Sequence, residues 1–224
     1  MSLARTVTTA TVLLFAPLPA LAQTKDHAPV DLPSSQLMSH DQAGTESWTY
    51  VKPGLELSKY RSVIVEPTVV YDGPDAQFDG IEREDRARFA QILTTAVGSE
   101  LAGAFPPPAK AGPGTLRIRL TLLGAKKTKG GIATATRATT FGLATNAVMS
   151  AIGKPGTLTG SMLVAIEAFD EGNNELLVAA VRRRSPDALD IPATLSTTDT
   201  VKAIARDLAD NIRKRLESGS SPRK

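Results

Sequence analysis

The chain has 224 residues, of which 26 are lysine or arginine and 23 are aspartate or glutamate, and it contains no cysteine. The lack of cysteine excludes disulfides, thiolate metal sites and cysteine nucleophiles, so a hydrophobic core must supply the stability. Residues 23–104 carry seven basic and thirteen acidic side chains, whereas residues 105–224 carry eighteen and ten. This asymmetry favours an anionic partner for the second half.

Residues 1–22 have the composition of a secretory signal peptide. A short cationic start, MSLAR, leads into an apolar stretch that ends at Ala20-Leu21-Ala22, a small-x-small cleavage site. The alternative, a buried N-terminal helix, is disfavoured by two prolines in the stretch, which is also too short to span a membrane. We predict a periplasmic or secreted protein, cleaved after Ala22 and not lipidated at Gln23, with no later transmembrane segment.

Residues 23–46 are polar and lack hydrophobic periodicity, which predicts a flexible N-terminal arm, and residues 218–224 predict a disordered tail. The part between them, 47–217, has the length of a single domain. Both histidines, His27 and His40, lie in the arm. The predicted domain therefore lacks the side chains for a Ser-His-Asp or Cys-His catalytic arrangement and for a usual zinc site.

The domain is predicted to open with a turn and a strand. Pro53 and Gly54 suit the central positions of a type II turn, because proline fixes φ and glycine accepts positive φ. Residues 62–71 are rich in β-branched side chains and predict the first strand. We expect three of the few aromatic residues to form a lid over one end of the core: Trp48, Tyr50 and Tyr60. The functional alternative is a platform on which a ligand stacks.

A helix is predicted next, with Asp79 as its N-cap and its end at Gly103. Its apolar face repeats at helical spacing through Phe89, Ile92, Leu93, Ala96, Val97 and Leu101. Glu100 falls within that stripe, and we expect it to reach solvent at the rim. Residues 116–122 then alternate between apolar and polar, as in a half-buried strand. Strand, helix and strand in this order indicate a right-handed parallel crossover.

A long insertion of small residues follows, over about 125–158. It has few large apolar groups, so its burial gains little against the entropy of ordering it. The segment is either a small-residue helix that packs closely on a neighbour or a mobile arm. We hypothesise that 130–156 is a partner-binding or self-association element through which the chain forms a homo-oligomer, with Arg137 adding positive charge there.

The last third of the chain predicts a hairpin and a second helix. Two β-rich runs, 161–169 and 176–182, flank the turn-forming residues 170–174. After Thr198, the expected N-cap, apolar side chains recur at helical spacing as far as Leu216. The sequence thus indicates an α/β fold: a mixed four- to five-stranded sheet with two main amphipathic helices and the long small-residue insertion.

Two motifs in these elements resemble those of a known family. Residues 50–63 read aromatic-x-x-Pro-Gly-x-x-Leu-x-x-Tyr-x-x-Val, and residues 160–179 read GSMLVAIEAFDEGNNELLVA. Both resemble motifs of the domain of unknown function 3313 family of bacterial envelope lipoproteins, over about 47–217. The resemblance implies a membrane anchor, but Gln23 stands where the family usually has its acylated cysteine. The order of elements is also similar to the amino-terminal domain of the translocation protein TolB, a binding module.

Carboxylates are the remaining candidates for chemistry. An acidic group at 72–85 suggests calcium or a glycosidase pair, but its spacing fits no calcium loop and helix capping explains most of it. Asp170, Glu171 and Glu175 surround a glycine, where either a calcium site or a hairpin turn would use such residues.

Glu167 is the one acidic residue in an otherwise apolar predicted strand. We expect an inter-strand ion pair between Glu167 and Arg117 or Arg119, if the two strands are neighbours. Alternatively, the three side chains form a polar patch for a ligand.

The sequence contains no phosphate-binding loop and no dinucleotide-binding motif, so we predict no cofactor and no metal. We expect a non-catalytic module that binds or scaffolds an envelope protein or a cell-wall polymer. Export argues against nucleic acid as a partner, despite the basic second half. The alternative is a hydrolase that acts on an envelope glycan through carboxylates alone.

Overall fold

The computed structural model of the chain describes residues 31–41, 47–128, 160–186 and 196–220. These residues form two layers, an eight-stranded mixed sheet and two long helices on one of its faces. The strands are β1 (Ser39–His40), β2 (Ser47–Val51), β3 (Ser62–Val65), β4 (Val69–Val70), β5 (Gln77–Asp79), β6 (Thr115–Lys126), β7 (Ser161–Asp170) and β8 (Leu176–Arg184). The helices are α1 (Arg83–Ala102) and α2 (Thr197–Ser220). The predicted mixed α/β fold with two main helices is therefore confirmed.

The prediction of four to five strands is wrong because several strands are very short. Three of them, β3, β4 and β5, pair one after another and in parallel with the long strand β6. The predicted strand 62–71 is divided at Pro67, which has no N–H to donate to a ladder. The order β1-β2-β8-β7-β6-β3 contains the predicted parallel pair of β3 and β6 and the predicted antiparallel hairpin of β7 and β8.

The main core lies between the sheet and the helices. Alternate side chains of β6 from Leu116 to Leu122 are buried there, as the sequence pattern predicts. The apolar faces predicted for α1 and α2 form the other side of this core, opposite the sheet. Burial of these apolar side chains holds the two layers together. Glu100 reaches the rim as expected, where it forms a 2.7 Å ion pair with Arg213 of α2.

Both helices begin at different residues from those predicted. Asp79 ends β5, where strand pairing with β6 takes precedence over capping, and Glu82 takes the N-cap position of α1. At α2, Ser196 Oγ accepts a 3.1 Å hydrogen bond from the backbone N–H of Asp199. The cap therefore lies before Thr198, the residue expected there. The helix also runs on to residue 220, into the segment predicted as a disordered tail.

The opposite face of the sheet carries a smaller core, to which part of the predicted arm belongs. Its members include Leu32, Trp48, Leu123, Leu163 and Val181. A short 3-10 helix spans Pro33–Leu37, and β1 pairs with β2. The flexible-arm prediction is therefore wrong for residues 31–41. One buried leucine and one two-residue strand anchor this segment, and neither produces a hydrophobic period.

No helix within the described ranges is long and apolar enough to cross a membrane. The predicted signal peptide, Arg137 and almost all of the insertion lie outside the described residues. Self-association through 130–156 therefore stays a prediction.

Candidate functional site

A groove of about 250 Å³ opens beside α2, on the helix-bearing face of the sheet. Apolar side chains form most of its floor and of its α2 wall, among them Ile166, Ala168, Val178, Ala180, Leu208 and Ile212. Apolar clefts with a few polar groups are the usual sites for small ligands.

Small side chains in adjacent strands create this groove. Ala180 of β8 lies opposite Ile166 of β7, and Ala168 lies two positions further along β7. Because side chains alternate along a strand, the row that faces the helices continues from Ala180 to Arg182 and Arg184. Two alanines thus leave room beneath α2, and two arginines follow on the same face.

Arg182 and Arg184 line the groove together with Arg215 of α2, and we call these three residues the arginine cluster. Burial lowers the pKa of Arg182, Asp41 partly offsets that effect, and the charges of Arg184 and Arg215 lower the pKa further. The charges of Arg184 and Arg215 are therefore both close enough to Arg182 to act on it.

The members of the arginine cluster differ in their partners. Arg182 forms a 2.7 Å ion pair with Asp41 and donates a 2.6 Å hydrogen bond to the carbonyl oxygen of Trp48. Arg184 has a buried Nε without a hydrogen-bond partner. Among the ion pairs between described residues, none includes Arg184 or Arg215. Two of the three guanidiniums in the cluster therefore have no ion-pair partner among the described residues, and they lie beside an apolar surface.

The three aromatic residues predicted to form a lid lie on different faces of the sheet. Trp48 is buried in the smaller core, with His40 stacked on it at 5.1 Å between ring centroids. Tyr50, half-buried, lies two positions along β2 and therefore on the same face. Tyr60 lies in the main core, where burial and a 2.8 Å hydrogen bond to Asp170 raise its pKa. The lid prediction is wrong because the sheet separates Tyr60 from the other two.

Arg117 and Arg119 do come together, but with an acid that the sequence analysis did not single out. Glu66 lies 2.6 Å from Arg117 and 2.8 Å from Arg119. Arg117 also pairs with Glu171 at 2.7 Å, and both guanidiniums lie over the ring of Phe169. Burial acts to raise the pKa of Glu66, but hydrogen bonds from Arg119 and Arg117 outweigh it and hold the pKa below its usual range.

Glu167 stays outside this network. It lies opposite Arg119 in the register of β6 and β7 and is only 3% exposed. None of the ion pairs found in the described part of the chain includes it, so the predicted pair with Arg117 or Arg119 is wrong. The reason is competition: Glu66 follows β3, the strand on the other side of β6, and reaches both arginines. The remaining candidate, Arg137, lies outside the described residues.

The acidic residues between β7 and β8 have structural partners. Asp170 accepts a 2.7 Å hydrogen bond from the backbone N–H of Gly172, while Glu171 and Glu175 pair with basic side chains. Of the two interpretations, this geometry supports the hairpin turn. Within the residues that the structure describes, no group of three or more side chains could hold a metal ion.

The arginine cluster was not predicted, although residues 182–184 read Arg-Arg-Arg. The two-residue period of a strand would have placed Arg182 and Arg184 on one face and Arg183 on the other. Arg183 does point elsewhere, since it donates hydrogen bonds to Gln77 and Ser161. The contribution of α2 depends on tertiary packing, which no local pattern encodes.

A search of the curated proteins found no match to the chain. Among solved structures, it is similar to a PelC dodecamer from Paraburkholderia phytofirmans, at 10% identity and a TM-score of 0.36, covering 73% of this chain and 96% of that one. It is also similar to a DUF4136 family protein from Bacteroides thetaiotaomicron VPI-5482, at 10% identity and a TM-score of 0.35, covering 80% and 99%. A third similar structure is a candidate lipoprotein from Caulobacter crescentus CB15, at 15% identity and a TM-score of 0.35, covering 75% and 96%.

TM-scores and identities this low carry no argument about assembly or function, and the expected likeness to TolB receives no support from these structures. The comparison with protein families, by contrast, gives a match over most of the chain. The family described as "Protein of unknown function (DUF3313)" matches residues 30–212, and the chain belongs to that family.

Proposed function

We propose that the chain is an exported, non-catalytic binding module of the cell envelope, and that the groove beside α2 is its binding site. The observation that carries the proposal is the arginine cluster, in which Arg184 has a buried Nε without a partner beside an apolar surface. A purely structural arginine would be expected to have its buried nitrogens paired, because an unsatisfied buried group costs stability. A ligand would supply the missing acceptor.

The composition of the groove favours some of the expected partners over others. A cell-wall polymer presents hydroxyls and amides, which need polar partners in a binding site. Apart from the arginines, the polar side chains that line the groove within the described part of the chain are those of Thr49 and Asn211. An apolar chain gains free energy from burial there. We therefore favour an apolar ligand over a cell-wall polymer.

A hydrolase acting on an envelope glycan is the other candidate, and it would need two carboxylates available for acid and base chemistry. Glu66, Glu171 and Glu175 are each held in an ion pair. Asp170 accepts hydrogen bonds from its own turn and from Tyr60. These contacts argue against a catalytic pair at the β7–β8 turn or beside Arg117, and they support the non-catalytic alternative there.

The test is binding of a neutral apolar fluorophore, 1-N-phenylnaphthylamine, to the chain from residue 23 onward. We expect binding to the unmodified protein and its loss in Ala180→Phe, which fills the floor of the groove. Ala87→Phe adds the same volume on the exposed side of α1 and should leave binding unchanged. Binding that survives Ala180→Phe, with an unchanged melting temperature, would contradict the proposal. Release of soluble sugar from purified peptidoglycan would favour the hydrolase.

Export has its own test. Mass spectrometry of the exported protein should find a chain that starts at Gln23 and carries no lipid. An intact Met1 terminus on a cytoplasmic protein would overturn this part of the proposal.

A further inference from the structure

We infer that the groove binds a single-chain anionic amphiphile, with the acyl chain along the apolar floor and a carboxylate or phosphate head group on the arginine cluster. The inference rests on the proposed function and deepens it, since it assigns the chemistry of the ligand and its orientation. A protein segment in the same groove is the competing occupant.

The shape of the groove limits the apolar part of the ligand. Its volume of about 250 Å³ is below the range of about 300–1,000 Å³ typical of sites for drug-sized ligands. Ala168 and Ala180 make the floor, and Leu208 and Ile212 of α2 form the wall above it. A space of this size and lining fits one extended hydrocarbon chain better than the two chains of a lipid.

The arginine cluster defines the charged part of the ligand. Arg182 is already neutralised by Asp41, at 2.7 Å, whereas Arg184 and Arg215 have no acidic partner among the described residues. The planar guanidinium donates two parallel hydrogen bonds to a carboxylate or a phosphate, and it cannot lose its proton at neutral pH. Two such groups match an anionic head group in charge and in geometry.

Hydrogen bonding of the backbone argues against a protein segment. β8 is paired on both sides, with β2 and with β7, so the floor presents no free strand edge for an added strand. Each residue of a bound peptide would bring an N–H and a C=O that need partners, and Thr49 and Asn211 cannot satisfy several of them. An acyl chain brings no such groups.

The inference predicts how affinity depends on the head group at constant chain length. The chain from residue 23 onward would be titrated calorimetrically with dodecanoate, dodecyl phosphate, dodecyl maltoside and dodecyltrimethylammonium, each below its micelle concentration. We expect both anionic compounds to bind about tenfold or more tightly than neutral maltoside, since a charge-assisted contact gives a factor of this order. The cationic compound should not bind measurably.

Matched substitutions locate the head group. Arg184→Gln and Arg215→Gln should each weaken binding of the anionic compounds about tenfold and leave that of the maltoside unchanged. Arg206→Gln is the control, because it removes the same charge from an exposed position of α2 outside the groove. Arg184→Lys keeps the charge but not the bidentate geometry, so an intermediate loss is expected. Thermal melts exclude variants that fail to fold.

The outcomes separate this inference from the proposed function. If all head groups bind equally and the arginine variants have no effect, the inference is wrong, while maltoside binding that Ala180→Phe abolishes still supports an apolar site. If sodium phosphate binds as tightly as dodecyl phosphate, the ligand is a free anion and the inference is again wrong. If no compound binds, the inference and the proposed function are both wrong. Tighter binding of a decapeptide of leucine and serine would favour the protein segment.

Discussion

Arg117 provides the sharpest test of the structure, because its guanidinium contacts several groups at once. Arg117→Met keeps an apolar stem beside Phe169 and removes the ion pairs with Glu66 and Glu171. The side chain of Arg117 is 14% exposed and those of its acidic partners are 27% and 23% exposed, so solvent screens these pairs only in part. Hydrogen bonds to charged groups contribute about 1.5–3 kcal/mol each, but Glu66 keeps Arg119 as a partner. We therefore expect a loss of about 2–3 kcal/mol in the free energy of unfolding at neutral pH.

Double-mutant cycles assign this free energy to particular pairs. Urea unfolding followed by circular dichroism should give a coupling of about 1–2 kcal/mol between Arg117→Met and Glu66→Gln, which is typical of contacting charged residues. The matched cycle of Arg119→Met with Glu167→Gln should be additive within about 0.5 kcal/mol. Additive effects in the first cycle would refute the contact between Arg117 and Glu66, and a coupling above about 1 kcal/mol in the second would show a contact between Arg119 and Glu167.

The same network predicts an acid dependence. The pKa of Glu66 is lower in the folded chain than its usual value, which in unfolded chains is about 4.3. The stabilisation is therefore fully present above about pH 5 and is lost as the pH falls through the lowered pKa. Glu66→Gln should lower stability at neutral pH and flatten its decline below about pH 4. An unchanged acid profile in this variant would contradict the argument.

Three further predictions concern stability. Gly124→Ala should lower the free energy of unfolding by about 2 kcal/mol or more, because the new Cβ would lie 2.5 Å from a carbonyl oxygen of β5. Gly98→Ala lies in open space on α1 and should raise it by up to about 1 kcal/mol. Urea unfolding measures both changes. Ser196→Ala should lower the free energy of unfolding by about 1 kcal/mol through loss of the α2 cap, and Thr198→Ala should cost less. Burial and a hydrogen bond to Asp75 raise the pKa of Tyr71 to about 12. Its contribution to the free energy of unfolding is therefore full below about pH 10 and declines towards pH 12. Tyr71→Phe should remove that decline from alkaline unfolding curves.

The long elements could be predicted from the sequence because each has many residues with a regular period. β6 alternates from Leu116 to Leu122, and α1 and α2 carry apolar stripes that the core buries. β4 and β5 have two and three residues, too few for any period to appear. They are strands because the long edge of β6 offers backbone partners, and this information lies elsewhere in the chain.

The sequence predicts that Arg117 and Arg119 form ion pairs, but it does not identify the acid with which they pair. The sequence predicts a pair between Glu167 and Arg117 or Arg119 if the two strands are neighbours, and β6 and β7 do pair, with Glu167 opposite Arg119. The acid that pairs with Arg119 is Glu66, which follows the end of β3 and lies 53 residues away from Arg119 in the chain. The arginine cluster likewise requires β8 and α2 to meet at Arg184 and Arg215, and only the packed structure brings them together.

Ion pairs between the two halves of the chain account for part of the difference in charge between them. Acidic residues of the first half neutralise basic residues of the second: Glu66 with Arg117 and Arg119, Asp41 with Arg182, and Glu100 with Arg213. Part of the contrast that favoured an anionic partner is therefore complementarity within the fold. Arg184 and Arg215 are left out of this pairing among the described residues, and they share an apolar groove. An anionic ligand is consequently expected because of these two side chains, and not because of the net charge of the second half.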